Sequence, residues 1–256
     1  MKPTPSKSLL TLGLLAASLL PVAAAEPNAD QILRAMSGKL GAAKRFSFEA
    51  TREIDPGLIE GHAVLEKARV SASVQRPNKL AGRAESKAGV RRFVFDGRTL
   101  ALLDEKKNTY ATVPMRMTID GLVDELDRKY GFVPPLADFA VGNPYAEFRR
   151  QAHTITYLGT GKTSEGFLGR NGVECHRIAL KGKAADAELW VAVGDGLPRQ
   201  LTATFRRVGQ PQMRIAFSKW NLGATTSAAD FTFTPPKDAQ KIEMWTTAKM
   251  QAARKH

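Results

Sequence analysis

The sequence predicts an α+β fold in which a single curved antiparallel β-sheet, an unclosed half-barrel, has an N-terminal and a mid-chain helix plugging its concave apolar face. Three observations point there. Most of the chain alternates apolar and polar residues with period two, the mark of half-buried strands. Each such run is apolar on one side only, so the sheet has one face to cover. Just two stretches, one near the start and one in the middle, carry the three-to-four spacing of an amphipathic helix long enough to cover it.

Residues 1–25 stand apart from this pattern. Lys2 and Lys7 form a basic start, Leu9 to Leu20 an apolar run, and Pro21-Val22-Ala23-Ala24-Ala25 a small-residue end, which is the composition of a cleaved secretory signal. The apolar run is short of the ~20 residues that span a bilayer. Removing residues 1–25 takes away two lysines and no acids, lowering the formal charge from +13 to +11. A basic balance suits nucleic acid, an anionic membrane surface or an acidic protein, and export makes nucleic acid the poorest of the three. Cys175 is the single cysteine, so no intramolecular disulfide forms and packing carries the stability. The expected organisation is a signal at 1–25, one domain over 26–244 and a short basic tail at 245–256 with Lys249, Arg254 and Lys255. A monomer is expected.

The first helix is capped by Asn28 or Asp30 and places Ile32, Leu33, Met36 and Leu40 on one face. The period then drops to two. Phe46, Phe48, Ala50 and Ile54 alternate with polar residues, an Asp55-Pro56-Gly57 turn follows, and a strand-like run extends from Ile59 to Val74. Arg92 to Leu103 reads as a hairpin, with Phe93 and Phe95 before Asp96-Gly97 and Leu100 and Leu102 after it. Thr109 to Val113 is a further strand. The mid-chain helix carries Ile119, Leu122, Val123, Leu126 and Tyr130 on one stripe, with Asp120, Asp124, Glu125 and Asp127 as its solvated face. Pro134-Pro135 ends it, and Leu136 to Val141 reads as a helical turn or lid. Strands resume at Thr154, with alternation through Leu189, Val191 and Val193, through Leu201, Ala203 and Phe205, and through Met213, Ile215 and Phe217.

Motifs for catalysis are unsupported. Gly159-Thr160-Gly161-Lys162-Thr163 ends like a phosphate loop but has Thr156 where the first glycine belongs and no helix after it. His62, His153, His176 and His256 lack metal-ligand spacing, and Ser164 has Lys162 where a nucleophile elbow needs glycine. Cys175 and His176 are neighbours on a strand, pointing to opposite faces, so they make no dyad and Cys175 is expected to be a buried structural thiol. No catalytic residue, metal or cofactor is expected.

Several short motifs carry a resemblance. The first helix is followed by Phe46-Ser47-Phe48-Glu49-Ala50-Thr51, Arg76-Pro77-Asn78-Lys79-Leu80, Phe95-Asp96-Gly97-Arg98-Thr99-Leu100, and at the end Phe231-Thr232-Phe233-Thr234-Pro235-Pro236. In this order they resemble the LolA/LolB periplasmic lipoprotein-carrier family. Leu189-Trp190-Val191 and Gly196-Leu197-Pro198-Arg199 bring the chain nearest to the predicted periplasmic proteins that share that fold. The resemblance spans roughly residues 30–114 and 186–242. It implies a half-barrel whose apolar interior takes up acyl chains, and it implies that Arg76 holds a helical lid shut through backbone carbonyls. The carriers' aromatic residues are replaced here by Ala81-Gly82-Arg83 and Ala101-Leu102-Leu103, which changes the shape of the interior.

The expectation is a periplasmic binding or carrier protein holding an acyl chain, lipid or lipoprotein. The alternative is an envelope sensor or protein-interaction domain on the same fold. Candidate ligand-contacting residues are Phe48, Phe93, Phe95, Leu100, Leu102, Trp190, Phe205 and Phe217; candidate lid or plug residues are Arg76, Leu122, Leu126, Phe132, Leu136 and Phe139.

Overall fold

The computed structural model describes residues 28–58, 63–134, 136–164 and 172–253. The expected signal at 1–25, the first part of the run beginning at Ile59, Pro135, and Arg254 and Lys255 of the tail lie outside the described residues. Among these residues twelve strands form one sheet in the order β12-β6-β5-β4-β3-β2-β1-β11-β10-β9-β8-β7, antiparallel except where β12 meets β6. Its two edges do not meet, so this is the unclosed sheet with inserted helices that the periodicity predicts.

Helix α1 (Ala29–Ala42) starts where the Asn28 side chain accepts a bond from the amide of Asp30. Leu33, Met36 and Leu40 on its inner stripe have no exposure at all. Strands β1 (Arg45–Ile54) and β2 (Glu66–Gln75) follow and pair along their full lengths. The second strand is shorter than expected, because the residues just before Glu66 are not in strand conformation. Then come β3 (Lys79–Ser86), β4 (Gly89–Phe95), β5 (Thr99–Asp104) and β6 (Thr109–Pro114). The β4–β5 turn is fixed by Asp96, whose carboxylate accepts from the amides of Arg98 and Thr99, and by Gly97 at φ 92°. A Cβ at Gly97 would sit 2.3 Å from the Asn78 side chain, so only glycine serves there.

Residues 115–151 run from β6, near one edge of the sheet, to β7 (Ala152–Lys162), the other edge, and so cross the concave face. They form helix α2 (Ile119–Glu125), a π-turn (Leu126–Tyr130), a 3₁₀ turn (Ala137–Phe139) and helix α3 (Pro144–Gln151). Helix α3 is absent from the sequence expectation, although Asn143 caps it and Pro144 opens it. It docks on α1 through Tyr145, whose hydroxyl donates to Asp30 at 2.5 Å and whose ring lies under Arg34. Tyr145 and Arg34 together hold the Asp30 carboxyl below its ordinary range.

Strands β8 (Glu174–Gly182), β9 (Ala185–Ala192), β10 (Pro198–Phe205) and β11 (Gln212–Asn221) return the sheet to β1. Cys175 is fully buried on β8 and His176, on the opposite face, has its Nδ1 3.0 Å from the Tyr157 hydroxyl.

The last segment departs from the expectation of a bare outer face. After β11 the chain crosses the convex side: Thr226 bonds Gln75, Lys79 lies over the Phe231 ring, and Phe233 packs on Tyr110. Val94, Ala101 and Leu103, at outward register positions on β4 and β5, are buried on the side that the strap crosses. It then adds β12 (Gln240–Lys241) beside β6, turns around that edge, and ends in helix α4 (Thr247–Ala253) against the π-turn.

Candidate functional site

The concave face is half filled and half hollow. Over β7–β11 the helices pack tightly: Phe139 from the 3₁₀ turn has no exposure and meets Phe148 of α3 and Phe217 of β11 edge-on, at 5.6 and 4.9 Å between ring centres. Over β1–β6 a cavity of about 930 Å³ remains, walled on the far side by residues of the 131–140 segment and by Ile242, Glu243 and Met244 of the strap. That volume lies within the roughly 300–1,000 Å³ usual for small-molecule sites.

Small side chains make the space. Register places Phe48, Ala72, Gly82, Phe93, Leu102 and Ala111 in one row across β1–β6, and Val70, Ala84 and Arg91 in the next. Ala72, Gly82, Ala84 and Ala111 leave room that larger residues would take, and Val70, Phe93 and Leu102 stay only half-buried although they face inward.

The expected ligand-contacting residues divide accordingly. Phe48, Phe93 and Leu102 line the cavity. Phe95, Leu100 and Phe217 belong to the packed core. Trp190 is a correction: Leu189 and Val191 point inward with almost no exposure, so Trp190 faces outward, its indole donating to Glu188 with Arg177 over the ring. Phe205 is a second correction, because it ends β10 half-buried on the filled side and does not line the cavity. Of the expected plug, Leu122, Leu126 and Phe139 are core residues with no exposure, whereas Leu136 and the 39% exposed Phe132 line the cavity.

Arg76 sits between α1 and the lid. Its Nη1 donates to the Ala140 carbonyl at 2.8 Å, and its Nη2 to those of Val141 at 2.8 Å and Leu40 at 3.3 Å. These carbonyls end a 3₁₀ turn and a helix, where intrahelical donors run out, and the planar fork of a guanidinium reaches several at once. Burial pushes the Arg76 pKa down, against the pull of Asp120. Asp120 itself accepts from the Gly142 amide at 2.8 Å. The lid lies so close to α1 that a Cβ at Gly41 would come within 2.4 Å of the Gly142 carbonyl oxygen.

Three features escaped the sequence reading. Trp220 backs the cavity wall, its ring centre 4.7 Å from that of Phe48, turned by a register shift that leaves Lys219, at φ 50°, and Trp220 facing the single residue between Ser47 and Glu49. The strap supplies a wall. Arg52 and Glu66, both over nine-tenths buried, form an ion pair of 2.7 Å on the inner face, and Arg52 lines the cavity. Among the described residues no group of three or more His, Cys, Asp or Glu is placed to hold a metal, and no helix is long and apolar enough to cross a membrane.

The family model described as predicted periplasmic protein (DUF2092) matches residues 29–245. The chain belongs to that family. DUF2092 membership places it in the periplasm, and the matched span takes in the sheet, the helical insertion and the strap. No curated protein matches this DUF2092 chain. Among solved structures it is similar to an uncharacterised conserved protein from Thermus thermophilus, at 13% identity and TM-score 0.48 over 84% of this chain and 99% of that one. It is also similar to MucB in the Pseudomonas aeruginosa MucA/MucB complex, at 16% identity and TM-score 0.44 over 80% of this chain and 61% of that one. A LolA superfamily protein from Nitrosomonas europaea matches at 11% identity and TM-score 0.39 over 81% and 99%.

Proposed function

We propose that this periplasmic protein is a binding or carrier protein that holds an apolar ligand, the acyl chain of a lipid or lipoprotein, in the cavity over β1–β6. The observation that supports it is the set of inward apolar side chains left half-buried around about 930 Å³ of space. Apolar surface facing a hollow carries a free-energy cost that a bound chain removes, at ~25 cal/mol per Å². Titration with an environment-sensitive apolar fluorophore should saturate at one site per chain and reverse on adding lipid extract. A linear, non-saturating response would refute the proposal.

Under this proposal Arg76 latches the lid. Lysine keeps the charge but cannot reach three carbonyls with a rigid fork. Arg76→Lys should fold normally and release bound fluorophore about tenfold faster or more, the effect of losing a net hydrogen bond or two. An unchanged release rate in a folded variant would remove the latch.

The rim supports a second reading, the envelope interaction domain. Phe132, Ile242, Trp245 and Met250 are 37–46% exposed beside Lys129, Lys241 and Lys249, an apolar and basic edge suited to a partner protein or an anionic membrane. Lipid co-purifying with the protein favours the carrier; a protein partner that survives detergent and high salt favours the interaction domain.

A further inference from the structure

We propose that the rim of the cavity docks on an anionic lipid bilayer, with Phe132, Ile242, Trp245 and Met250 entering its interfacial layer. The hollow over β1–β6 then opens onto the phase from which its ligand comes. The contact rests on the composition of the rim; its purpose rests on the carrier reading, to which it adds the side by which an acyl chain enters.

Four of the nine large apolar side chains that stand exposed among the described residues are gathered here, and such a patch marks a contact surface. Phe132 and Ile242 line the cavity and are 39% and 46% exposed, so they stand where the hollow meets solvent. Trp245 and Met250, 46% and 37% exposed, continue the apolar surface without lining the cavity. Thr247 fastens this end of the strap to the π-turn, its hydroxyl donating to the Lys129 carbonyl at 3.2 Å, which brings Trp245 and α4 beside Phe132.

Charge decides which partner. From Gln240 on, the sequence has Lys241, Lys249, Arg254 and Lys255 against Glu243 alone. Glu243 is bonded to Lys249, and Glu125 beside the π-turn is paired with Arg128 and Lys129, so the acids at hand are already matched. Lysine is depleted at the centre of protein interfaces. Lysine beside tryptophan is instead the composition of a membrane interface, where the indole lies among the head groups and the ammonium reaches their phosphates. The Lys249 ammonium lies over the Trp245 ring, 5.4 Å from its centre.

The test is co-sedimentation with vesicles of phosphatidylethanolamine and phosphatidylglycerol, set against vesicles of phosphatidylcholine alone. At about 0.02 M salt the protein should bind the anionic vesicles at least about tenfold more tightly than the neutral ones, and the preference should shrink at about 0.5 M salt. Lys241→Gln should weaken binding to the anionic vesicles about fivefold, the effect of one lysine near the surface. Trp245→Ala/Met250→Ala should weaken it at least about tenfold while leaving fluorophore binding in solution unchanged, because neither residue lines the cavity. A readout that does not depend on the double variant folding is quenching of wild-type tryptophan fluorescence by vesicles with brominated acyl chains, which should include a component absent from Trp245→Phe. Failure to sediment with the anionic vesicles at low salt would overturn the surface and leave the rim to a protein partner. Association indifferent to lipid charge, or quenching that is the same in Trp245→Phe, would overturn it as well. Vesicle docking without saturable fluorophore binding in solution would overturn the carrier reading and leave the docking surface standing.

Discussion

Phe139→Ala should cost about 3–5 kcal/mol of folding stability, the usual range for truncating a fully buried phenylalanine. Phe139 has no exposure and meets two rings edge-on, Phe148 from the helical insertion and Phe217 from the sheet, so its loss opens a void between the two layers. For a chain of this size the melting temperature should fall by roughly 10 °C. Phe93→Ala is the control. That ring faces the same concave side but stands half-buried at the hollow, and its removal enlarges an existing space, so about 1 kcal/mol is expected. Thermal unfolding of both variants measures the difference; equal losses would mean that the two halves of the concave face are filled alike.

Removing Glu66 from the buried Arg52–Glu66 pair should cost about as much, because it strands the Arg52 guanidinium in the apolar interior. Glu66→Leu alone should lose about 3–5 kcal/mol, whereas Arg52→Leu/Glu66→Leu should lie within about 2 kcal/mol of the wild type, since well-packed apolar residues often replace a buried pair without loss. Both side chains are 8–9% exposed, so solvent screens them little. Denaturant midpoints for the two single variants and the double complete the cycle. A double variant as unstable as the sum of the singles would show that the two groups are independent.

Much of the sheet was readable because period-two alternation assigns a face to each residue. Phe46, Phe48, Ala50 and Ile54 on β1 were placed inward correctly, and the same count makes Arg52 an inward arginine, the signal by which the buried pair could have been found. Trp190 illustrates the opposite lapse: its apolar bulk suggested the interior, although inward Leu189 and Val191 on either side fix it outward. Val94, Ala101 and Leu103 are buried apolar residues at outward positions, which betrays a second covered face, but nothing local says that a strap 130 residues further on runs along that side, where the Asn108 side chain donates to the Asp238 carbonyl. Helix α3 was missed because its eight residues are too few for periodicity, although the Asn143-Pro144 start is a cap in its own right. Which half of the concave face stays hollow is set by where the 115–151 insertion settles, a tertiary outcome with no counterpart in spacing.

If the hollow over β1–β6 is a ligand site, filling it should abolish binding. Ala72 faces into it from the middle of the row, half-buried, and Ala72→Phe would place a ring in the space without displacing core side chains. The most direct test is a fluorophore titration of Ala72→Phe against the wild type, with thermal unfolding as the check on folding. Saturable one-site binding by the wild type is expected, with at least about a hundredfold loss of affinity in a variant that unfolds at or near the wild-type temperature, the loss expected when a side chain occupies the volume the ligand needs. Equal affinity in the two proteins would contradict it.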